Sequence, residues 1–185
     1  GDVFPPGLYD WYSTARAYNA AYASPGPNPT IDVVDSATRS VACTYHIQVT
    51  GFVNPSECAG AGQSCASACK VSKIYNQAGT GSGRDAVQAT LASMPNVVFS
   101  STPRGTLPAM SCPTTTGTMQ VTSAPAITAQ PISFSAVAIR AVTSGTPGAA
   151  IIGTSGGAQI GFSTANLADV NAGTNLTASA TDAVW

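Results

Sequence analysis

Apolar and polar residues alternate most clearly over residues 41–50, VACTYHIQVT. The apolar set falls on the odd positions: Val41, Cys43, Tyr45, Ile47 and Val49. A period of two places these side chains on one face of a strand. The pattern therefore predicts a strand over 41–50 with one buried face and one face in water, and the wet face carries His46.

Apolar residues recur at three- and four-residue steps in other segments, which is the spacing of a helix face. The first such set is Leu8, Trp11, Ala15, Tyr18 and Tyr22. It predicts a helix over 8–23 that ends before Pro25, because proline cannot continue a helix. The same spacing predicts a helix over 84–94, which Pro95 ends, and a short helix within 67–77.

Strand patterns separated by Gly, Pro and Ser dominate the chain after residue 95. They cover 97–101, 118–122, 132–142, 149–153, 159–163 and 176–180. Segregated helices and strands indicate an α+β fold. We expect an N-terminal helix, a disulfide-stapled middle segment with a second helix, and a C-terminal antiparallel β-sheet or sandwich.

The length of 185 residues predicts a single domain. Within it, the pattern separates an aromatic helix with a Pro-rich lead at 1–30 from a disulfide-stabilised part at 31–117. A β-rich part follows at 118–185. No run of 18 uncharged apolar residues occurs, so we expect no transmembrane helix.

Charged residues make up only 8% of the chain, with seven Lys and Arg against eight Asp and Glu. Cytosolic proteins usually carry about 25%, so we expect a secreted, extracellular or cell-surface protein. The chain lacks the basic surface that nucleic acid binding needs. A formal net charge of −1 leaves little repulsion between copies, which favours self-assembly.

Five cysteines support an oxidising compartment. They are Cys43, Cys58, Cys65, Cys69 and Cys112. We expect two disulfides and one spare thiol; among several possible pairings we favour a local bridge within Cys58–Cys69 and a long bridge from Cys43 to Cys112. A zinc site needs a second close pair of ligands. Since His46 is the only histidine, we expect no metal and no cofactor.

The stretch Gly153-Thr154-Ser155-Gly156-Gly157 resembles the nucleophile loop of trypsin-like serine proteases. The resemblance implies Ser155 as nucleophile and His46 as base. It covers five residues, and Thr154 stands where that family has an acidic residue, so we expect a turn between strands here. Asp85 is the remaining catalytic candidate. Because the spacing brings no acid, base and nucleophile together, we expect a protein without enzymatic activity.

The low charge and the lack of a recognisable catalytic set of side chains together predict an extracellular structural or assembly subunit. Examples are part of a surface filament, a pilin-like head, or a coat or decorating protein. Its partners would be copies of itself or other surface proteins. One alternative is a secreted module that binds carbohydrate or a host surface by stacking aromatic side chains on glycans. The candidates for that role are Trp11, Tyr12, Tyr18, Tyr22 and Trp185. A second alternative is a secreted hydrolase.

Overall fold

The computed structural model describes the chain in short stretches that fall into two compact units, Gly1–Ala126 and Ile127–Trp185. The described residues are 10–17, 22–23, 28–37, 41–58, 69–78, 84–99, 107–111, 118–121, 149–153, 158–162 and 168–172. Whether the two units fold as the single domain expected from the length stays a prediction.

The first unit contains a six-stranded antiparallel sheet. Its strands are β1 (Asn28–Asp35), β2 (Val41–Ile47), β3 (Cys69–Ile74), β4 (Ala86–Val87), β5 (Asn96–Phe99) and β6 (Pro108–Ser111). The order across the sheet is β2-β1-β3-β5-β6, and β4 pairs with β3. A 3-10 turn, Leu91–Ser93, lies between β4 and β5.

The second unit contains a three-stranded antiparallel sheet in chain order. Its strands are β7 (Ala149–Gly153), β8 (Ala158–Phe162) and β9 (Ala168–Ala172). The sequence pattern predicted the first two strands and missed β9. The predicted strands at 132–142 and 176–180 lie outside the described residues.

β1, an interior strand between β2 and β3, carries fully buried core residues of the first unit, and the sequence pattern did not identify it. Ile31 and Val33 are fully buried, as is Val71 on the neighbouring β3. The pairing of β1 with β2 shifts register between Val33 and Val34, and both of these consecutive valines are buried. An irregularity of this kind breaks the period of two that sequence reasoning relies on, so the strand pattern is hidden.

The expected α+β fold with two helices is wrong. The fold is mostly antiparallel β-sheet, and the described residues contain no helix of seven residues or more. Where a helix was expected over 8–23, residues 10–17 bend at Thr14 and Ala15 and form antiparallel bridges from Tyr12 to Asn76 and from Arg16 to Phe52. In the described stretches, no helix is long and apolar enough to cross a membrane.

The other two expected helices are also wrong. Residues 69–74 form β3, which pairs with β1 and leaves alternate side chains such as Cys69 and Val71 buried. The segment 84–94 is divided between β4 and the 3-10 turn. There the backbone N–H of Val87 donates to the carbonyl of Gln120, so bonds to distant residues replace those within a helix.

Candidate functional site

β2 lies at one edge of the six-stranded sheet, and residues 54–58, which we call the edge loop, lie against it. Glu57 of the edge loop accepts the backbone N–H of His46 through Oε2 at 2.8 Å, and its Oε1 lies 2.6 Å from His46 Nδ1. Cys58 of the same loop forms a disulfide with Cys43 of β2. Unpaired N–H groups at a sheet edge invite pairing with other chains, so the edge loop protects part of β2.

Glu57 also influences the hydroxyl of Tyr45, the residue before His46. Burial raises the pKa of Tyr45 to about 12, and the negative charge of Glu57 adds to the rise. Tyr45 belongs to the buried core, with 3% of its surface exposed. The edge loop is therefore fixed to β2 by a disulfide and by a carboxylate that forms two bonds to His46, and the charge of that carboxylate also acts on the buried Tyr45.

A second polar cluster links three neighbouring strands around Asp32 of β1. The Thr44 hydroxyl donates to Asp32 Oδ1 at 2.6 Å, and the Tyr75 hydroxyl donates to Oδ2 at 3.0 Å. Lys73 Nζ lies 3.5 Å from Asp85 Oδ2 and 4.8 Å from the centre of the Tyr75 ring. Burial and then Asp32 raise the pKa of Tyr75 to about 12, which keeps its hydroxyl a neutral donor. The cluster ties strands together rather than generating a reactive phenolate.

A third cluster holds residues 10–17, which we call the arm. Arg84 donates to Asp10 Oδ2 at 2.7 Å, and the Asn76 side-chain amide donates to Asp10 Oδ1. The backbone N–H of Asn76 donates in turn to Asp85 Oδ1 at 2.9 Å. Asp85 therefore contacts both the second and the third cluster.

The structure gives the catalytic candidates separate partners. His46 pairs with Glu57, whereas Asp85 bonds to Lys73 and to the backbone of Asn76. Ser155 lies outside the described residues. Sequence reasoning did not predict that Glu57 pairs with His46, although Glu57 is the only glutamate and stands directly before a disulfide cysteine. That neighbourhood is the one signal that could have placed it beside β2.

The aromatic candidates for glycan binding are partly buried where the structure describes them. Tyr12 and Tyr22 pack against the core. The Tyr12 hydroxyl donates to the Arg84 carbonyl, and the Tyr22 hydroxyl donates to the Pro29 carbonyl at 2.8 Å. Burial raises the pKa of Tyr12 well above its ordinary value and that of Tyr22 to about 12. Trp11 is half-buried, and Tyr18 and Trp185 lie outside the described residues.

The turn after β2, residues 48–52, exposes apolar side chains, and we call it the apolar tip. Val49 is 76% exposed and Phe52 is 45% exposed. The N–H of Gln48 donates to the Phe52 carbonyl at 2.9 Å, and Gly51 has a φ of +82°. The strand expected over 41–50 ends at Ile47, so Val49 leaves the buried face on which the alternation placed it.

The cysteines confirm a disulfide and correct its expected pairing. Cys43 is bonded to Cys58, so the long bridge from Cys43 to Cys112 is wrong. Cys69 is disulfide-bonded as well. Cys65 and Cys112 lie outside the described residues, and no group of His, Cys, Asp and Glu in the described part of the chain could hold a metal ion.

We compared the sequence with protein-family models, with curated proteins and with solved structures, and none of the three comparisons found a match.

Proposed function

We propose that the chain is an extracellular structural subunit that assembles with copies of itself, and that the apolar tip is one of its contact surfaces. The observation that carries the proposal is the exposure of Val49 and Phe52 on a turn with no charged residue, Gln48 to Phe52. Burying apolar surface contributes about 25 cal/mol per Å². A second copy can supply that burial without desolvating a charge on the turn itself.

The state of the ionisable groups supports the same proposal. The described Asp, Glu, His and Lys side chains of the first unit all bond to groups of the same chain. They are Asp10, Asp32, Asp35, His46, Glu57, Lys70, Lys73 and Asp85. Two of these bonds, Asp10 with Arg84 and Lys73 with Asp85, set opposite charges side by side, which weakens their fields at a distance, and the net charge is −1. Copies therefore approach one another with little repulsion.

The disulfide supports the extracellular part of the proposal. Disulfides persist in oxidising compartments and are rare in the cytosol. The Cys43–Cys58 bridge also joins two residues of the sheet edge, where a structural subunit gains from a covalent staple. The low charged fraction agrees with a surface that neighbouring subunits cover.

The test places a charge on the apolar tip. In Val49→Asp and Phe52→Asp variants a carboxylate must be desolvated before the tip can be buried, which is costly. We expect association, followed by sedimentation velocity, to weaken at least about tenfold for each variant, which corresponds to about 1.4 kcal/mol.

The matched control is Ala92→Asp, which adds the same charge at an exposed residue. Ala92 lies in the 3-10 turn that precedes Met94, and Lys70 of β3 donates to the Met94 carbonyl. Lys70 pairs with Val34, near the end of β1. The apolar tip follows Ile47, which pairs with Asn28 at the start of β1. The control residue therefore lies toward the opposite end of the strands from the apolar tip. Association that falls equally in the control would contradict a role for the tip.

A further inference from the structure

We infer that copies of the chain exchange their arms, so that residues 10–17 of one copy occupy the arm site of the next. The inference rests on the proposed function, since it specifies how copies are joined. The partner is a second copy of this chain, and the arm site is the set of groups that bond the arm here.

The arm is held by backbone hydrogen bonds near both of its ends. The N–H of Ala17 donates to the Gly51 carbonyl at 2.7 Å, and the Ala15 carbonyl accepts the N–H of Val53 at 2.9 Å. At the other end, the Trp11 carbonyl accepts the N–H of Gln77 at 2.9 Å. Such bonds depend on backbone geometry, and a neighbouring chain forms them as well as its own chain does.

Side chains fix the register of the arm. Asp10 pairs with Arg84, the backbone N–H of Trp11 donates to Asn76 Oδ1 at 3.2 Å, and the Thr14 hydroxyl donates to the Pro108 carbonyl at 2.7 Å. The Asp10 and Arg84 side chains are only 25% and 12% exposed. Their pairing therefore requires an inserted arm and cannot form by contact between outer surfaces.

The arm's partners in these bonds lie far away along the chain. The Asp10–Arg84 pair spans 74 positions and the Thr14–Pro108 bond spans 94. Residues 18–27 separate the arm from β1 and include Pro25 and Pro27. Tyr22 packs on the core and bonds to Pro29 and Asn28, so the span that can open runs from Ala17 to Tyr22. Extended, it reaches about 17 Å, so exchange is limited to a copy that already touches this one. Exchange of an identical element preserves the bonds of the arm at low cost.

Charge reversal in two separate chains tests the inference. Asp10→Arg places two cations together in the arm site, and Arg84→Asp places carboxylates together. When the two full-length variants are mixed, exchange of both arms restores an opposite-charge pair at each site. In an equimolar mixture we expect native mass spectrometry to show the ratio of mixed pairs to like pairs rise from the statistical value of about 1 to about 10. The chain that carries both substitutions serves as the control for folding, because it restores the pair internally.

The outcomes separate this inference from the proposed function. Mixed pairs at the statistical share, with wild-type association intact, would overturn arm exchange and leave self-assembly standing. Absence of association in every chain, wild type included, would remove the proposed function and the inference together.

A cysteine pair gives a second test that does not disturb the buried ion pair. Arg16 and Phe52 are exposed and face each other as antiparallel bridge partners. Cα atoms of such partners lie about 4.5–5.5 Å apart, which suits a disulfide. Mixing Arg16→Cys chains with Phe52→Cys chains should give an interchain disulfide on a non-reducing gel.

Each single-cysteine variant is also run alone, and Val49→Cys replaces Phe52→Cys as the matched control. Val49 is exposed on the same tip but is not a bridge partner of Arg16. Contact between tip surfaces would cross-link both combinations equally, and that result would count against arm exchange. Cross-linking confined to the Phe52→Cys mixture is the result expected from the inference.

Discussion

Replacing Glu57 should release the edge loop from β2. Its carboxylate forms two bonds to His46, one to the side chain at 2.6 Å and one to the backbone N–H at 2.8 Å. A hydrogen bond to a charged group contributes about 1.5–3 kcal/mol. Both side chains are about one quarter exposed, 28% for His46 and 24% for Glu57, and solvent weakens exposed pairs. We therefore expect Glu57→Ala to cost about 2 kcal/mol and Glu57→Gln about 1 kcal/mol.

Two assays measure the effect. For a urea m value of about 2 kcal/mol/M, the unfolding midpoint of Glu57→Ala should fall by about 1 M. Hydrogen exchange of the His46 amide should also accelerate at least about tenfold, because its acceptor has gone while the rest of the sheet keeps its bonds. Ser56→Ala is the matched control, since the Ser56 side chain is exposed and should change stability by less than about 0.5 kcal/mol. If hydrogen exchange of the His46 amide is unchanged and the urea midpoint of Glu57→Ala equals that of Ser56→Ala, the role of Glu57 in holding the edge loop is refuted.

Three further predictions follow from the structure. Replacing both Cys43 and Cys58 by serine should destabilise the first unit by about 3 kcal/mol, the loop-closure value for a 15-residue separation; a calorimetric loss near zero would contradict it. Tyr22 and Tyr75 have pKa values raised to about 12 by burial, so absorbance titration should detect their ionisation above that of free tyrosine, near pH 10. A tyrosine with a raised folded pKa stabilises the fold below pH 10 and loses that contribution between pH 10 and 12; stability that stays flat over this range would contradict the burial. Gly51→Ala should cost about 1 kcal/mol by urea unfolding, because φ is +82° and a Cβ meets no atom within 4 Å; a neutral effect would contradict a backbone origin.

The alternation of apolar and polar residues predicted a strand correctly where that strand keeps a regular period of two, with one face buried. β2 is the best example, because Cys43, Tyr45 and Ile47 are all buried as their alternation predicts. The same reasoning failed one turn further on. Val49 continues the alternation, but the chain reverses at Gly51, and no local pattern shows where a strand stops.

The expected helices failed for a tertiary reason. Over 8–23 the apolar spacing fits a helix, yet the backbone groups of Trp11, Ala15 and Ala17 bond to residues that lie more than thirty positions away. Local propensity is a weak determinant when distant partners compete for the same N–H and carbonyl groups. A single sequence does not display those partners, so neither the arm nor its pairing through Asp10 could be predicted.

The sequence allowed general features of the candidate site to be predicted, but not the contacts of its individual residues. The cysteines correctly indicated a disulfide, and the strand patterns correctly indicated a β-rich chain. The pairing of His46 with Glu57 was not predictable, because it depends on a loop that Cys58 anchors to β2. Exposure of Phe52 likewise follows from the turn and not from its residue type, since phenylalanine is usually buried.

Sedimentation velocity of the unmodified protein over a range of concentrations tests most directly the proposal that copies of this chain associate. We predict a sedimentation coefficient that rises with concentration as the 18.5 kDa chain forms larger assemblies. A single species with the mass of one chain, unchanged up to millimolar concentration, would contradict the account.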